Sequence, residues 1–290
     1  MKIIIPQTIS FTSTAPTTSD PSVWSSGSSY TVGATCSVAG SINKIYKCII
    51  AVSPGGSSPE IDVNNTTPKW ALVSYTNRYQ MFDYLRDTST NTITETSFSV
   101  TATVAASNSL CVVGMTGITQ VVVASTSPSY SKTFNIPTNS DGSMQYKEVI
   151  LFDMPNCTII TVTFYGTAPI SVGNLVIGNY YYIGSVQIGA VSDFLNFSDL
   201  NRQEFGDATL KKRRGVPKLN AKIYIDKSKV DSLTTLKTQL ESVPVLWSGL
   251  DDQMTHNYFS AMVILGIYKA FNFEIDNPAG CMINVELEDM

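Results

Sequence analysis

From Phe98 to about Ile188, apolar and polar positions alternate with a period close to two. The runs FSVTATVAA, LCVVGM, TQVVVAST, TIITVTFYG, GNLVIGNYYYIG and VQIGAV all read as strands, divided by turn signals such as SPS, NSDG and TAP. In TIITVTFYG, residues Ile160, Val162 and Phe164 share one face while Thr161 and Thr163 share the other. Short strands repeated at this spacing predict an antiparallel β-sandwich over 76–195.

The pattern changes beyond that point. KLNAKIYID reads as a strand, and KSKVDSLTTLKTQLES carries Val230, Leu233, Leu236 and Leu240 three or four residues apart, the helical period. Ser228 with Asp231 three residues on reads as its capping arrangement. VPVLWSG, FSAMVILGIYKAFNFEI and CMINVELED follow as strands, so 196–290 is predicted to be a β-α-β-β-β domain with one packed helix.

The N-terminal part has less periodicity. Residues 1–20 are apolar for five residues and then rich in Thr, Ser and Pro, as expected of an extended arm or linker. Residues 21–75 are dense in aromatics and glycines. Their core reads as two short strands, around Tyr30–Val38 and Lys44–Val52, joined by a turn containing Gly40, which predicts a small compact module. The fold class expected is therefore mainly β.

Composition narrows the function classes. Hydrophobic residues make up 43% of the 290, enough for large cores, while charged residues make up only 14% against about 25% in ordinary soluble domains. Ser, Thr and Asn fill the difference, which suits strands and surfaces covered by other subunits. The net charge of −4 gives no overall attraction to nucleic acid or to an anionic membrane. No apolar run is long enough to span a bilayer, and MKIIIPQTIS is too short for the apolar core of a signal peptide, so folding in a cytoplasm is expected. The five cysteines, Cys36, Cys48, Cys111, Cys157 and Cys281, are scattered and odd in number. Buried free thiols are the expectation, with a Cys36–Cys48 bond across the hairpin as the alternative.

Candidate chemistry is sparse. The single histidine, His256, lies beside Asp251 and Asp252 in an expected hairpin turn with no triad partner in view. No nucleophile elbow, P-loop, HExxH or dinucleotide fingerprint occurs. Paired carboxylates need no motif, and a polysaccharide-cleaving enzyme stays open on that ground alone. We expect no enzyme, no catalytic or metal-binding residue and no cofactor. The basic run Lys211, Lys212, Arg213 and Arg214 is either a solvated loop or an inter-subunit contact, with the acidic Glu286, Glu288 and Asp289 as the complement between protomers. The segment MKIIIPQTISF is expected to add a strand to a neighbour.

Two resemblances add to this. The pattern W-x5-Y-x2-G-x2-C-x3-G-x4-I-Y-K-C-I, from Trp24 through Tyr30, Gly33, Gly40 and Tyr46, followed by Pro59, Pro68 and Trp70, resembles small carbohydrate-binding modules appended to chitinases. That resemblance implies a three-stranded fold in which Trp24, Tyr30, Tyr46 and Trp70 form the mini-core or stack on sugar. The following NRYQMFD, with Asn77, Met81, Phe82 and Asp83, then ISVGNLVIGNYYYIGSVQIGAVSDFLNFS, FGDATLKKRRG and VPVLWSG, is similar to a group of bacteriophage tail and baseplate structural proteins. It implies a virion protein of the tail tip, baseplate or tail-fibre junction, a symmetric homo-oligomer whose partners are other tail proteins, assembled in the host cytoplasm. A host-surface glycan-binding adhesin acting through residues 21–75, with surface polysaccharide as partner, is the alternative.

Overall fold

The computed structural model describes residues 1–14, 16, 20–202, 206–250, 260–274 and 280–290, with backbone alone at 11–14. His256, Asp251 and Asp252 lie outside the described residues. Strands account for 54% of the chain and helices for 10%, so the molecule is mainly β, with antiparallel sheets.

In chain order the strands begin with β1 (Lys2–Pro6), β2 (Ser10–Thr14), β3 (Thr35–Val38), β4 (Lys44–Cys48), β5 (Trp70–Tyr75), β6 (Thr90–Asn91) and β7 (Ser97–Ser107). Next come β8 (Ser109–Val113), β9 (Thr116–Thr126), β10 (Ser129–Asn135), β11 (Val149–Leu151), β12 (Cys157–Val172), β13 (Asn174–Tyr182) and β14 (Ser185–Val186). The last are β15 (Val191–Asn196), β16 (Asp199–Arg202), β17 (Ala208–Lys211), β18 (Gly215–Asp226), β19 (Val245–Ser248), β20 (Val263–Glu274) and β21 (Gly280–Asp289). The helices are α1 (Pro59–Asp62) and α2 (Val230–Gln239).

A ten-stranded sheet runs β11-β8-β13-β1-β19-β20-β21-β18, with β14 and β15 both paired to β18. A six-stranded sheet runs β10-β9-β12-β7-β2, with β6 on β12. On β12, Ile160, Val162 and Phe164 are fully buried, as their alternation requires. They meet Leu110, Val112, Leu175 and Ile177 of the large sheet in one core, which makes the sandwich. The same face of the large sheet continues past β1, because Ile3 pairs with Tyr181 and Trp247. There Leu233, Leu236 and Leu240, on and just beyond α2, pack over Ile223, Val285 and Leu287. Ile4, Cys111, Val176, Leu246 and Leu265 are buried on the opposite face.

Four expectations are corrected by this topology. Residues 1–20 are not a free arm: β1 is hydrogen-bonded on both sides, to β13 and to β19 of its own chain, and Ile3 and Ile4 are fully buried on opposite faces. Three consecutive isoleucines carry no alternation because a strand covered on both faces needs none. For the same reason β1 does not add a strand to a neighbour. Second, no sheet boundary falls at residue 195, since the large sheet takes β8, β11 and β13 from one side of it and β18 to β21 from the other. Third, VQIGAV is not one strand; the chain turns at Gly189 (φ +100°) and leaves Ile188 fully exposed between β14 and β15. Fourth, α2 follows Lys229 with no side-chain cap of its own, and the cap is Asp226 on the turn before it, whose carboxylate accepts the Ser228 N–H at 2.9 Å and the Ser228 hydroxyl at 2.6 Å. A 3-10 turn over Lys227–Lys229 precedes α2, which moves the cap upstream of the expected Ser228–Asp231 pair.

Candidate functional site

The third sheet, β3-β4-β5, gathers all four aromatics that the sequence singled out. Tyr46 and Trp70 are 2% and 1% exposed, and Cys36, Cys48 and Val52 pack with them. Trp24 and Tyr30 are half-buried against this cluster, and the Tyr30 ring meets Trp70 edge-on at 5.0 Å. Tyr30 is also held by a backbone pair with Val52, N–H to O at 2.9 Å in both directions. Asp62, itself buried at the end of α1, accepts the backbone N–H groups of Lys69 and Trp70 and the Asn65 amide. It thereby ties α1 to β5. The indole N–H of Trp70 is buried without a hydrogen-bond partner.

This arrangement makes the aromatics a mini-core. A ring stacks on a sugar only with one face in water, and Tyr46 and Trp70 have none there. Register places Cys36 opposite Tyr46 and Cys48 opposite Trp70, and all five cysteines are free and buried. Burial, and then the neighbouring Cys48, pushes the Cys36 thiol up to about 11, away from reactivity.

The basic run lies elsewhere, on a long hairpin. β15 pairs with β18 from Val191↔Asn220 to Asn196↔Gly215, and the ribbon continues as β16 and β17, from Asp199↔Lys211 to Arg202↔Ala208. Between these ladders Ser198 exchanges hydrogen bonds with the Arg213 backbone. β16 and β17 form a sheet of their own, and all their residues are exposed. Phe194, Phe197, Leu200 and Leu210 are 57%, 52%, 49% and 62% exposed, with Leu200 and Leu210 directly opposite each other. None of the four stands among the candidate site residues of the sequence, although Phe194, Phe197 and Leu210 lie in the stretches that carry the tail-protein resemblance. The signal lies in SDFLNFSDL, where apolar residues sit in a segment bounded by polar ones with no buried face to fill.

The basic and acidic groups expected to meet between protomers partly meet within one. The Arg214 guanidinium donates to the Met290 carbonyl at 2.7 Å and lies 3.6 Å from Asp87. Asp289 is paired with Arg86, while Lys218 reaches Glu286 at 3.1 Å and Glu288 at 3.8 Å. The hydrogen bond to Glu286 holds the Lys218 ammonium above its ordinary value. Burial raises the Asp289 carboxyl, with the Arg86 charge opposing. Lys211, Lys212 and Arg213 have no ion-pair partner among the described residues.

A depression of about 250 Å³ between the sandwich and β20 is lined by Arg86, Lys147, Glu148, Asn174 and Asp289. Its charged groups are mostly engaged: Arg86 with Asp289, and Glu148 with the Ser260 hydroxyl at 2.6 Å. Among the described residues no group of three or more His, Cys, Asp or Glu side chains is placed to hold a metal ion. Nor is any helix among them long and apolar enough to cross a membrane. No protein-family model matches the chain, and no curated protein matches it.

Proposed function

We propose that this chain is a non-enzymatic structural component of a bacteriophage tail, at the tail tip, baseplate or tail-fibre junction. It assembles as a symmetric oligomer with copies of itself and with other virion tail proteins, in the host cytoplasm. The observation that carries the reading is the hairpin β15–β18. Its outer ribbon exposes large apolar side chains and unpaired cations that nothing else in the described chain covers. Exposed apolar surface of this kind, rimmed by polar residues, marks a protein contact. The resemblance of residues 21–288 to tail and baseplate proteins gives that contact a setting. Antiparallel sheets, the largest of them bridged in its middle by β1, suit a load-bearing part.

The glycan-binding alternative has less support, because Tyr46 and Trp70 are consumed by packing. Quantitative mass spectrometry on purified virions, referenced to the major capsid protein, tests the proposal. A fixed low copy number is expected, as closed symmetry requires. Absence of the chain from the particle refutes it.

A further inference from the structure

We propose that the hairpin β15–β18 is an inter-subunit arm whose outer ribbon, β16–β17, docks on the body of a second copy of this chain. The inference deepens the tail-protein reading and rests on its homo-oligomer. Three observations carry it.

The first concerns stability. A two-stranded ribbon with no packed face is marginal in water. Every described residue of β16 and β17 is exposed, and the two strands are hydrogen-bonded only to each other. At about 3.3 Å per residue, Phe197 to Arg202 carries the ribbon about 20 Å past its last pairing with β18. That length reaches a neighbour.

The second is area. Phe194, Phe197, Leu200 and Leu210 each expose roughly 100 Å² of apolar surface, on the order of 400 Å² together. A standard interface takes about 800 Å² from each partner. Reciprocal exchange, with each copy giving a hairpin and receiving one, roughly doubles the apolar area and reaches that size.

The third is charge. The hairpin sequence 191–215 holds five of the chain's 19 basic residues against four of its 23 acidic ones, which leaves 14 against 19, a net of −5 for the rest. A ribbon whose root carries Lys211, Lys212 and Arg213, without ion-pair partners among the described residues, complements the acidic body of its own kind better than it does a basic or neutral partner.

The test uses the full-length purified chain. A photo-crosslinking residue at Leu210 is expected to give an adduct with the mass of two copies. Leu200→Ser with Leu210→Ser, and separately Lys211→Glu with Lys212→Glu, are expected to weaken self-association at least tenfold in light-scattering titrations. Both variants should keep the near-ultraviolet circular dichroism of the wild type, since these side chains touch no core. A monomeric wild type, a self-association unchanged in both variants, or a Leu210 adduct in assembled virions that joins only a different tail protein overturns the inference. The two readings fail separately. Virion incorporation with hairpin-independent association sinks the arm alone, whereas hairpin-dependent association of a chain absent from virions sinks the tail assignment alone.

Discussion

Removing the side chains of Ile3 and Ile4 tests whether the N-terminus is a structural strand or an appendage. Both residues are fully buried, one against Trp247 and Ile183, the other against Leu246 and Val176. Isoleucine to alanine deletes three carbons, about 2.4 kcal/mol at ~0.8 kcal/mol each. The cavity left in a covered strand raises the measured cost into the range of about 2–5 kcal/mol. Against a native stability of about 5–15 kcal/mol, either substitution is severe and the pair approaches the limit of folding. Because the two cavities open on opposite faces, the losses are expected to add within about 1 kcal/mol. The assay is urea unfolding of Ile3→Ala, Ile4→Ala and the double variant, followed by the fluorescence of buried Trp70 and Trp247. Leu210→Ala on the exposed ribbon serves as the control and is expected to shift stability by no more than about 0.5 kcal/mol. Deleting residues 1–6 should open the large sheet between β13 and β19 and give no folded product. An Ile3→Ala or Ile4→Ala cost below about 1 kcal/mol, or a folded deletion variant, would refute the central placement of β1.

Three further outcomes are expected. Gly166→Ala puts a Cβ 1.9 Å from the Gly117 carbonyl oxygen, in a strand with no room to move, so a loss of at least about 3 kcal/mol should appear as a fall in Tm; an unchanged Tm would contradict the close approach of β9 and β12. Asp62→Ala strips the buried Trp70 N–H and the part-buried Lys69 N–H of their acceptor and should cost about 1–3 kcal/mol in denaturant titrations without altering the ten-stranded sheet. The five buried thiols should resist a thiol reagent at neutral pH until the protein is unfolded. The Cys36 thiol is raised from 9.0 to about 11 in the fold, so its contribution to stability is full below 9.0 and is lost as pH rises through about 11. Base titration should therefore destabilise the native state across that window, and rapid native labelling of Cys36 would contradict its burial.

Much of the fold was legible along the chain because strand formation leaves a local mark. TIITVTFYG alternates because β12 has one face in the sandwich core, and the 3–4 spacing from Val230 to Leu240 marks α2 because one side of it lies on β18 and β21. Tyr46 and Trp70 stood out as aromatics with turn glycines around them, the composition of a small core. The hairpin was less visible. Its apolar residues break no rule of β propensity, and only their accessibility in three dimensions separates them from core residues such as Ile223.

What the sequence determined by itself was the period of each segment, hence the element type, the mainly-β class and the absence of a recognisable catalytic motif. Those properties depend on neighbours one to four residues away. What only the tertiary structure decided was which strands meet. KIIIP has the same composition in a loose arm and in the middle of a sheet, and nothing within it specifies β13 and β19 as its partners, 170 and more residues distant. The same holds for the acidic C-terminus, whose charges are satisfied by Arg86, Lys218 and Lys269 because β21 lies between β18 and β20. Pairing across such distances is set by the fit of whole faces, each strand being placed by the surface it completes.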